Sequence, residues 1–296
     1  MSNISAIVLT YNEERHIERC IKSLLQITDK IFVIDSFSTD NTTKIASEMG
    51  ATVLYNRWEN NYSKQFNWAL KNAPINTNWI IRIDADEYLS DKLIYEINNG
   101  LNSLPNNIAG IELTLDRYFL GRKIRYGVGK IRQIRIFRRD RAICEPRMMD
   151  EHIMVDGDII RFKGHWIDNN LSTIQEWTSK HNYYAIREAI DYLNLYNNKD
   201  INNEYSYSYN AFNKHKNKNR YSKMPLFLRA FIYFCLRYFI RGGFLDGKEG
   251  FLWHFFQGWW YRTLVDAKIF EIKSKCSNDK NKIKEYIKEN YNIKLQ

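Results

Sequence analysis

"WIIRIDADEYLS", residues Trp79–Ser90, decides the fold. An apolar run (Ile80, Ile81, Ile83) stops in three closely spaced carboxylates, Asp84, Asp86 and Glu87. Like charges this close raise one another's pKa unless something positive sits among them. An apolar run that ends abruptly in acids reads as a buried strand whose carboxyl end meets a ligand. Such a strand needs neighbours of the same kind.

The first half of the chain supplies them. "ISAIVLT" (4–10), "KIFVIDS" (30–36) and "ATVLYN" (51–56) are further strand-like runs. Between them lie "NEERHIERCIKSLLQ", with Ile17, Ile21, Leu24 and Leu25 at helical spacing, and "STDNTTKIASEMG", with N-cap candidates and a closing Gly50. "YSKQFNWALKNA" (62–73) reads as a third helix. Apolar strands alternating with helices predict an α/β fold: a mostly parallel, Rossmann-like sheet covered on both faces. Ligands of such sheets bind beyond the carboxyl ends of the strands. Thr10, Tyr11, Asn12, Asp35 and Asp84-Ala85-Asp86 should therefore gather on one rim. The turn after the first strand reads T-Y-N-E-E where a dinucleotide fold carries G-x-G-x-x-G, which argues against a nicotinamide enzyme. A P-loop is excluded, because G-x-x-x-x-G-K-[ST] does not occur.

Composition narrows the partners. The chain has 296 residues, 44% hydrophobic and 26% charged, enough for a full α/β core and a smaller second module. Aromatic residues make up 15%, and the formal charge is +10, so anionic partners are expected: nucleic acid, phosphorylated small molecules or a membrane face. Cys20, Cys144, Cys235 and Cys276 lie far apart with no C-x-x-C, the pattern of reduced thiols. The N-terminal apolar run is too short for a secretory signal, and no stretch is long enough to span a bilayer. The expectation is a cytoplasmic protein.

Two aspartates one residue apart at a strand's end can present oxygens to Mg²⁺ or Mn²⁺, which cancels their repulsion and holds phosphate oxygens as well. The plain alternative is a solvated turn, with Asp86 or Ser90 capping the next helix. Asp35 can accept hydrogen bonds from a ribose or a base. Its alternative is a loop carboxylate that caps the helix starting near Ser38.

"AIVLTYNEERHIERCIKSL", "IFVIDSFSTDNT", "SKQFNWAL" and "WIIRIDADEYL", in this order, resemble the nucleotide-sugar-binding half of a family 2 glycosyltransferase with the GT-A fold. The resemblance runs from Ile4 to roughly residue 175. It implies inverting transfer of a sugar from a nucleotide donor, usually UDP-linked, with Mn²⁺ or Mg²⁺ as cofactor. It places Thr10, Tyr11, Asn12, Glu13, Asp35 and Lys64 around the base and ribose. Asp84, Ala85 and Asp86 would take the ribose and the metal-bound diphosphate, with Asp86 the more direct ligand. Family members place a catalytic base after the fifth or sixth strand. Here that spot is "MMDEHI", giving Glu151 as the base and Asp150 as the alternative; either could instead pair with a nearby arginine. The family's third metal ligand, often a histidine, has no direct counterpart. Asp168 stands at the equivalent place and His165 three residues earlier, and His165 could equally be structural beside Trp166. In the arginine-rich segment 117–147, Arg135 and Arg138 precede the proposed base and suit a diphosphate or an anionic acceptor. Glu87 is left without assigned chemistry, as a structural or solvated carboxylate.

The expected division is a GT-A unit at 1–175 and a mainly helical, aromatic and basic region at 176–296. Within the latter, 194–222 is rich in Asn, Lys and Tyr and reads as a mobile loop. In "KMPLFLRAFIYFCLRYFIRGG", Arg229, Arg237 and Arg241 fall within about 120° on a helix. An aromatic face with basic flanks suits a helix lying in a membrane interface, its arginines on anionic lipid. A buried subdomain or homo-oligomer interface wants the same aromatic content. The leading expectation is a metal-dependent glycosyltransferase of lipopolysaccharide or capsule synthesis. It would be peripheral on the inner face of the cytoplasmic membrane, act on a lipid-linked or glycan acceptor and have no nucleic-acid partner. A non-catalytic basic module on membrane or nucleic acid competes on charge alone, but has no reason to end successive strands in Asp35 and Asp84/Asp86. A sugar-1-phosphate nucleotidyltransferase needs a glycine-rich N-terminal loop that this chain lacks.

Overall fold

The computed structural model describes residues 3–145, 151–193, 220–277, 279–293 and 295. Asp150 and residues 194–219 of the expected loop lie outside the described residues.

Strands β1 (Ile4–Thr10), β2 (Ile31–Asp35), β3 (Thr52–Tyr55) and β4 (Trp79–Asp84) are parallel and adjacent in the order β3-β2-β1-β4. Every residue of β1 and β2 is buried, as strands covered on both faces require. Helices α1 (Ile17–Leu24), α2 (Thr42–Glu48) and α3 (Tyr62–Asn72) make the crossovers. Gly50, at φ +84°, turns the chain out of α2 as the sequence pattern predicts. Two apolar clusters fill the two faces of the sheet, one with Ile21, Leu24 and Ile81, the other with Phe66, Ile80 and Phe137. Burying each Ile, Leu or Phe contributes roughly 1.5–3 kcal/mol.

Beyond β4 the sheet becomes mixed. Short β5 (Glu87–Leu89) leads into α4 (Asp91–Gly100), whose N-terminus Ser90 caps by accepting from the Leu93 N–H at 3.3 Å. The sheet continues through β6 (Ile108–Phe119), with β7 (Arg122–Lys123) paired to its end, then β8 (Arg132–Arg138) and β11 (Asp158–Asn169). The order is β4-β8-β6-β11-β5, and β9 (Ala142–Cys144) and β10 (Ile153–Val155) form a separate ribbon. β8 is antiparallel to both β4 and β6, so β6 again runs with β4, and β11 is parallel to β6. The carboxyl ends of β1, β2, β4, β6 and β11 therefore share one rim. This is the GT-A arrangement the sequence predicts.

Helix α5 (Ile174–Tyr192) starts with a Thr173–Glu176 capping box and leads into the helical region. There α6 (Leu228–Cys235), α7 (Gly247–Trp253), α8 (Tyr261–Cys276) and α9 (Lys280–Tyr291) pack together. Two π-helical segments, Leu236–Ile240 and His254–Trp260, interrupt the α-helical runs. One expectation is reversed here. Arg229 and Arg237 do not flank a lipid-facing surface: they are 2% and 6% exposed and point into the helical core. The outward side chains are Phe231, Ile232, Phe239 and Ile240. Arg229 is turned inward by Asp266, which accepts from its Nε at 2.9 Å.

Candidate active site

At the nucleoside end of the rim, Thr10 and Asp35 face one another in register across β1 and β2. Asp35 is fully buried. Its Oδ2 accepts from Thr10 Oγ1 at 3.0 Å, and its Oδ1 accepts from the Ser38 N–H at 2.7 Å. Asp35 builds the rim, tying the β1 and β2 loops together. Asn12, at φ +53°, extends that tie, since its Oδ1 accepts from the Thr39 N–H at 2.8 Å. Thr10 is buried, whereas Tyr11 stands exposed. Sequence reasoning missed two further exposed aromatics, Phe37 and Tyr55, whose rings lie 5.6 Å apart at the ends of β2 and β3. Phe37 is held at φ +63°, a conformation rare for a bulky side chain and concentrated at functional loops.

Glu13 turns away from the donor side to His16, with Oε2 2.6 Å from Nδ1. His16 Nε2 accepts from the Leu171 N–H at 2.8 Å, which leaves Nδ1 as the protonated nitrogen that donates to Glu13. Lys64, on the first turn of α3, places Nζ 2.9 Å from Glu59. Lys180 on α5 was not foreseen from the sequence. Its Nζ lies 3.8 Å from Glu13 Oε1. Burial works to lower its pKa, but Tyr184, Tyr62, Asp86 and Glu13 together hold it well above the usual lysine value.

At the centre, Glu87 resolves its own place. It is 5% exposed and accepts three N–H groups, from Arg135 Nη2 (2.9 Å), Trp166 Nε1 (2.9 Å) and the Asp84 backbone (3.0 Å). Burial pushes its carboxyl up to about 8; Arg135 pulls it down, while Asp84, Asp86 and Asp168 add to the rise. Glu87 is the buried brace of the Asp84-Ala85-Asp86 turn, and Ala85 plugs the core beneath it. Ser90 does the helix capping, so Asp86 is not needed for it. Asp86 Oδ2 accepts from Asn170 Nδ2 at 2.8 Å, and its backbone carbonyl from Arg19 at 3.1 Å. Asp84 Oδ1 is buried and lacks a hydrogen-bond partner, with Arg82 Nε 3.9 Å away.

Arg135 thus belongs to this centre, though as a brace stacked 4.8 Å over Trp166. Arg138 does not. It pairs in register with Trp79, the first residue of β4, and donates to the carbonyls of Leu104, Pro105 and Ile108 at the opposite end of the strand. The expectation that it meets phosphate is overturned, because five strand steps, ~16 Å, separate it from Asp84. Asp168 comes to the rim across from Glu87 and accepts from Arg117 Nε at 2.9 Å. Burial raises its pKa against the pull of Arg117, with Asp86 and Asp84 adding to the rise. His165 lies an odd number of residues away on the same strand, hence on the other face. Its Nδ1 is 2.9 Å from Asp116 Oδ1.

Glu151 reaches the site through Arg82, whose Nη2 donates to its Oε1 at 2.9 Å. The ion pair weighed as an alternative is present, but with the arginine that also faces Asp84, so it links base candidate and donor-side carboxylate.

Among the described residues, no three His, Cys, Asp or Glu side chains gather closely enough to hold an ion by themselves. Mg²⁺ and its like commonly use one or two carboxylates plus substrate phosphates. The partnerless buried oxygen of Asp84 beside Asp86 fits that mode.

Residues 5–145 match glycosyl transferase family 2. It is 42% identical over 97 residues to the uncharacterized glycosyltransferase RT0209 of Rickettsia typhi, a stretch covering 33% of this chain and 32% of that relative. The chain thus spans about a third of that relative's length. It is 26% identical over 284 residues to LpsC of Rhizobium meliloti, a lipopolysaccharide core biosynthesis glycosyltransferase, covering 90% of this chain and 92% of LpsC. Among solved structures it is similar to S. aureus TarS, with TM-score 0.39, 16% identity, and 64% of this chain and 40% of that one covered.

Proposed function

We propose that this chain transfers a sugar, with inversion, from a nucleoside-diphosphate donor, a UDP-sugar, to a hydroxyl of a lipid-linked or surface-glycan acceptor. The observation that carries the reading is the junction of Asp84 and Glu151 through Arg82 at the rim of a domain that matches family 2. Residues 1–175 form the donor-binding and catalytic unit, and 176–296 the acceptor-side unit.

The nucleoside lies on the loops that Asp35 and Asn12 organise, with Tyr11 and the Phe37–Tyr55 pair offering ring faces to the base. The diphosphate sits before Asp84 and Asp86, with Lys180 and Lys64 as the cationic side chains of that mouth. Asp86 and Asp84 would hold Mn²⁺ or Mg²⁺ together with the donor's phosphate oxygens. Bound there, the ion supplies positive charge against the leaving diphosphate. Glu151, held in place by Arg82, takes the proton of the acceptor hydroxyl. The acceptor oxygen forms its bond to the anomeric carbon opposite the diphosphate, the old carbon–oxygen bond breaks, and its electron pair leaves with UDP.

The exposed apolar set Phe231, Ile232, Phe239, Ile240, Phe244 and Leu245, beside exposed Arg241 and Lys248, supports peripheral contact with a membrane surface. Among the described residues, no helix is long and apolar enough to cross a membrane. The similarity to LpsC over most of the chain supports a surface-glycan acceptor. A thermal-shift panel of nucleotide sugars with and without Mn²⁺ tests the reading. A UDP-sugar with Mn²⁺ should raise the melting temperature by binding linkage. No shift with any nucleotide sugar refutes it.

A further inference from the structure

A guanidinium in a low-dielectric interior is costly unless an anion meets it. Arg82, Arg135 and Arg229 are all buried, and each carries a carboxylate at 2.9 Å: Glu151, Glu87 and Asp266. Arg237 is buried to the same degree, at 6% exposed, and carries none among the described residues. Its near neighbour is Tyr233, which favours its charged form.

The surroundings of Arg237 are cationic. Its guanidinium lies 5.1 Å from the Tyr233 ring, and that of Arg262 lies 5.8 Å from the same ring. Arg262 is matched by Glu188 and Arg117 by Asp168, so neither leaves a carboxylate for Arg237. Burial lowers its pKa; Tyr233 opposes this, and Arg262 and Arg117 add to the lowering. The backbone here is unusual as well. Arg237 lies in one π-helical segment and faces Gly258 in the other, where even a Cβ would stand 3.6 Å from Nη1. Such segments recur at functional sites.

Position in the fold indicates which ligand. The sheet order puts β1 and β2, the nucleoside end, on one side of β4, and β6 and β11 on the other. Arg117, near the end of β6, bonds Asp168 on the rim and stacks 5.2 Å from Trp253 in the helical region. Arg237 therefore lies toward the β6 and β11 side of the rim, away from the nucleoside, in the same π-helical segment as the exposed Phe239 and Ile240.

We propose that Arg237, with Arg117, Arg262 and Tyr233 around it, binds a phosphate group carried by the sugar acceptor. This deepens the glycosyltransferase reading and rests on it. Arginine's planar fork takes two phosphate oxygens at once, and the bound dianion supplies the charge that the cluster lacks.

The test uses the full chain with UDP and Mg²⁺ present to fill the donor side. Inorganic phosphate is titrated in one arm, with melting temperature as readout. In the other, phosphatidylcholine vesicles with and without phosphatidic acid are used in co-sedimentation. Wild type, Arg237→Gln and Arg237→Lys are compared. Arg237→Gln should weaken the response at least about tenfold, and Arg237→Lys less, since it keeps the charge and loses the fork. An Arg237-dependent response in the phosphate arm alone marks a soluble phosphorylated acceptor, and in the vesicle arm alone a lipid-borne phosphate. Equal responses of wild type and Arg237→Gln in both arms overturn the proposal. If circular dichroism shows Arg237→Gln unfolded, unchanged responses in Arg237→Lys and Tyr233→Phe overturn it instead. Failure of UDP itself to bind wild type strikes the glycosyltransferase reading and leaves the phosphate result standing.

Discussion

The sheet half and the helical region both bury paired charges inside an aliphatic core, but the helical region turns more large apolar side chains outward. Around β1 and β4 the interior is mostly Ile, Val and Ala, with Arg82 paired to Glu151 near the strand ends where the carboxylates stand. Around α6 and α8 the interior includes Arg229, Arg237, Asp266 and His254, while Phe and Leu side chains stand outside. In the first, each buried arginine named here has its carboxylate, Arg82 with Glu151 and Arg135 with Glu87. The second is costly in water on both counts, because it exposes apolar surface and desolvates charge. That difference separates the two proposed ligand surfaces: the edge of the sheet for the donor, and the outer face and charged interior of the helices for the acceptor.

Breaking the rim should have the largest effect. Asp86→Ala should abolish sugar transfer while circular dichroism shows an intact fold, because nothing structural rests on its side chain beyond Asn170. Full turnover at saturating Mn²⁺ would remove Asp86 from the reaction. Glu151→Gln should keep UDP binding and lose transfer by about a hundredfold or more in kcat. An active variant would shift the base to Asp150.

The helical interior gives the next effect. Arg229→Leu strands Asp266 and should cost roughly 3–5 kcal/mol, seen in denaturant melts, whereas Arg229→Leu with Asp266→Leu should recover most of it. Equal losses in both would show that packing, not charge pairing, governs the site.

His254 gives a pH signature of the same interior. Burial first, then Arg237, lowers its pKa from 6.5 to about 4, so the folded state keeps it neutral where the unfolded chain binds a proton. Its contribution is full above the unfolded value, is lost as pH falls from 6.5 toward 4, and changes little below that. His181, also lowered to about 4 chiefly by burial, acts in the same direction. Melting temperature against pH should decline in that window, and less steeply in His254→Gln. A slope unaltered by that substitution would assign the decline to other groups. The smallest effect on stability belongs to Phe239→Ser with Ile240→Ser, within about 0.5 kcal/mol as for surface changes generally. The same pair should abolish co-sedimentation with anionic vesicles; retained binding would exclude this face as the membrane contact.

The four parallel strands and their helices were legible because continuous apolar runs and helical spacing leave few other folds, and the Asp84-Ala85-Asp86 turn lies on the rim where the pattern put it. What stayed hidden depends on pairing between distant segments. Glu87 opens a three-residue strand while Asp86 stays in the turn before it, and the Glu87 partners Arg135 and Trp166 come from elsewhere in the chain. Arg138 lies three residues from Arg135, yet the antiparallel run of β8 carries it to the wrong end of the sheet. Asp35 was correctly put at a strand end, but Ser38 and Thr10 draw it inward. In the helical region the spacing of Arg229 and Arg237 fixes that they share a side; only Asp266 and Tyr233 decide that the side is the interior. Lys180 was out of reach altogether, since a helix begun by a capping box far along the chain brings it to Glu13.

The account rests on a metal-assisted nucleotide site at the end of β4. Calorimetric titration of UDP into the full chain, with and without Mn²⁺, examines it most directly. The account predicts saturable one-to-one binding that weakens at least about tenfold when the ion is removed and again in Asp84→Asn. Binding indifferent to both changes, or no binding at all, would contradict it.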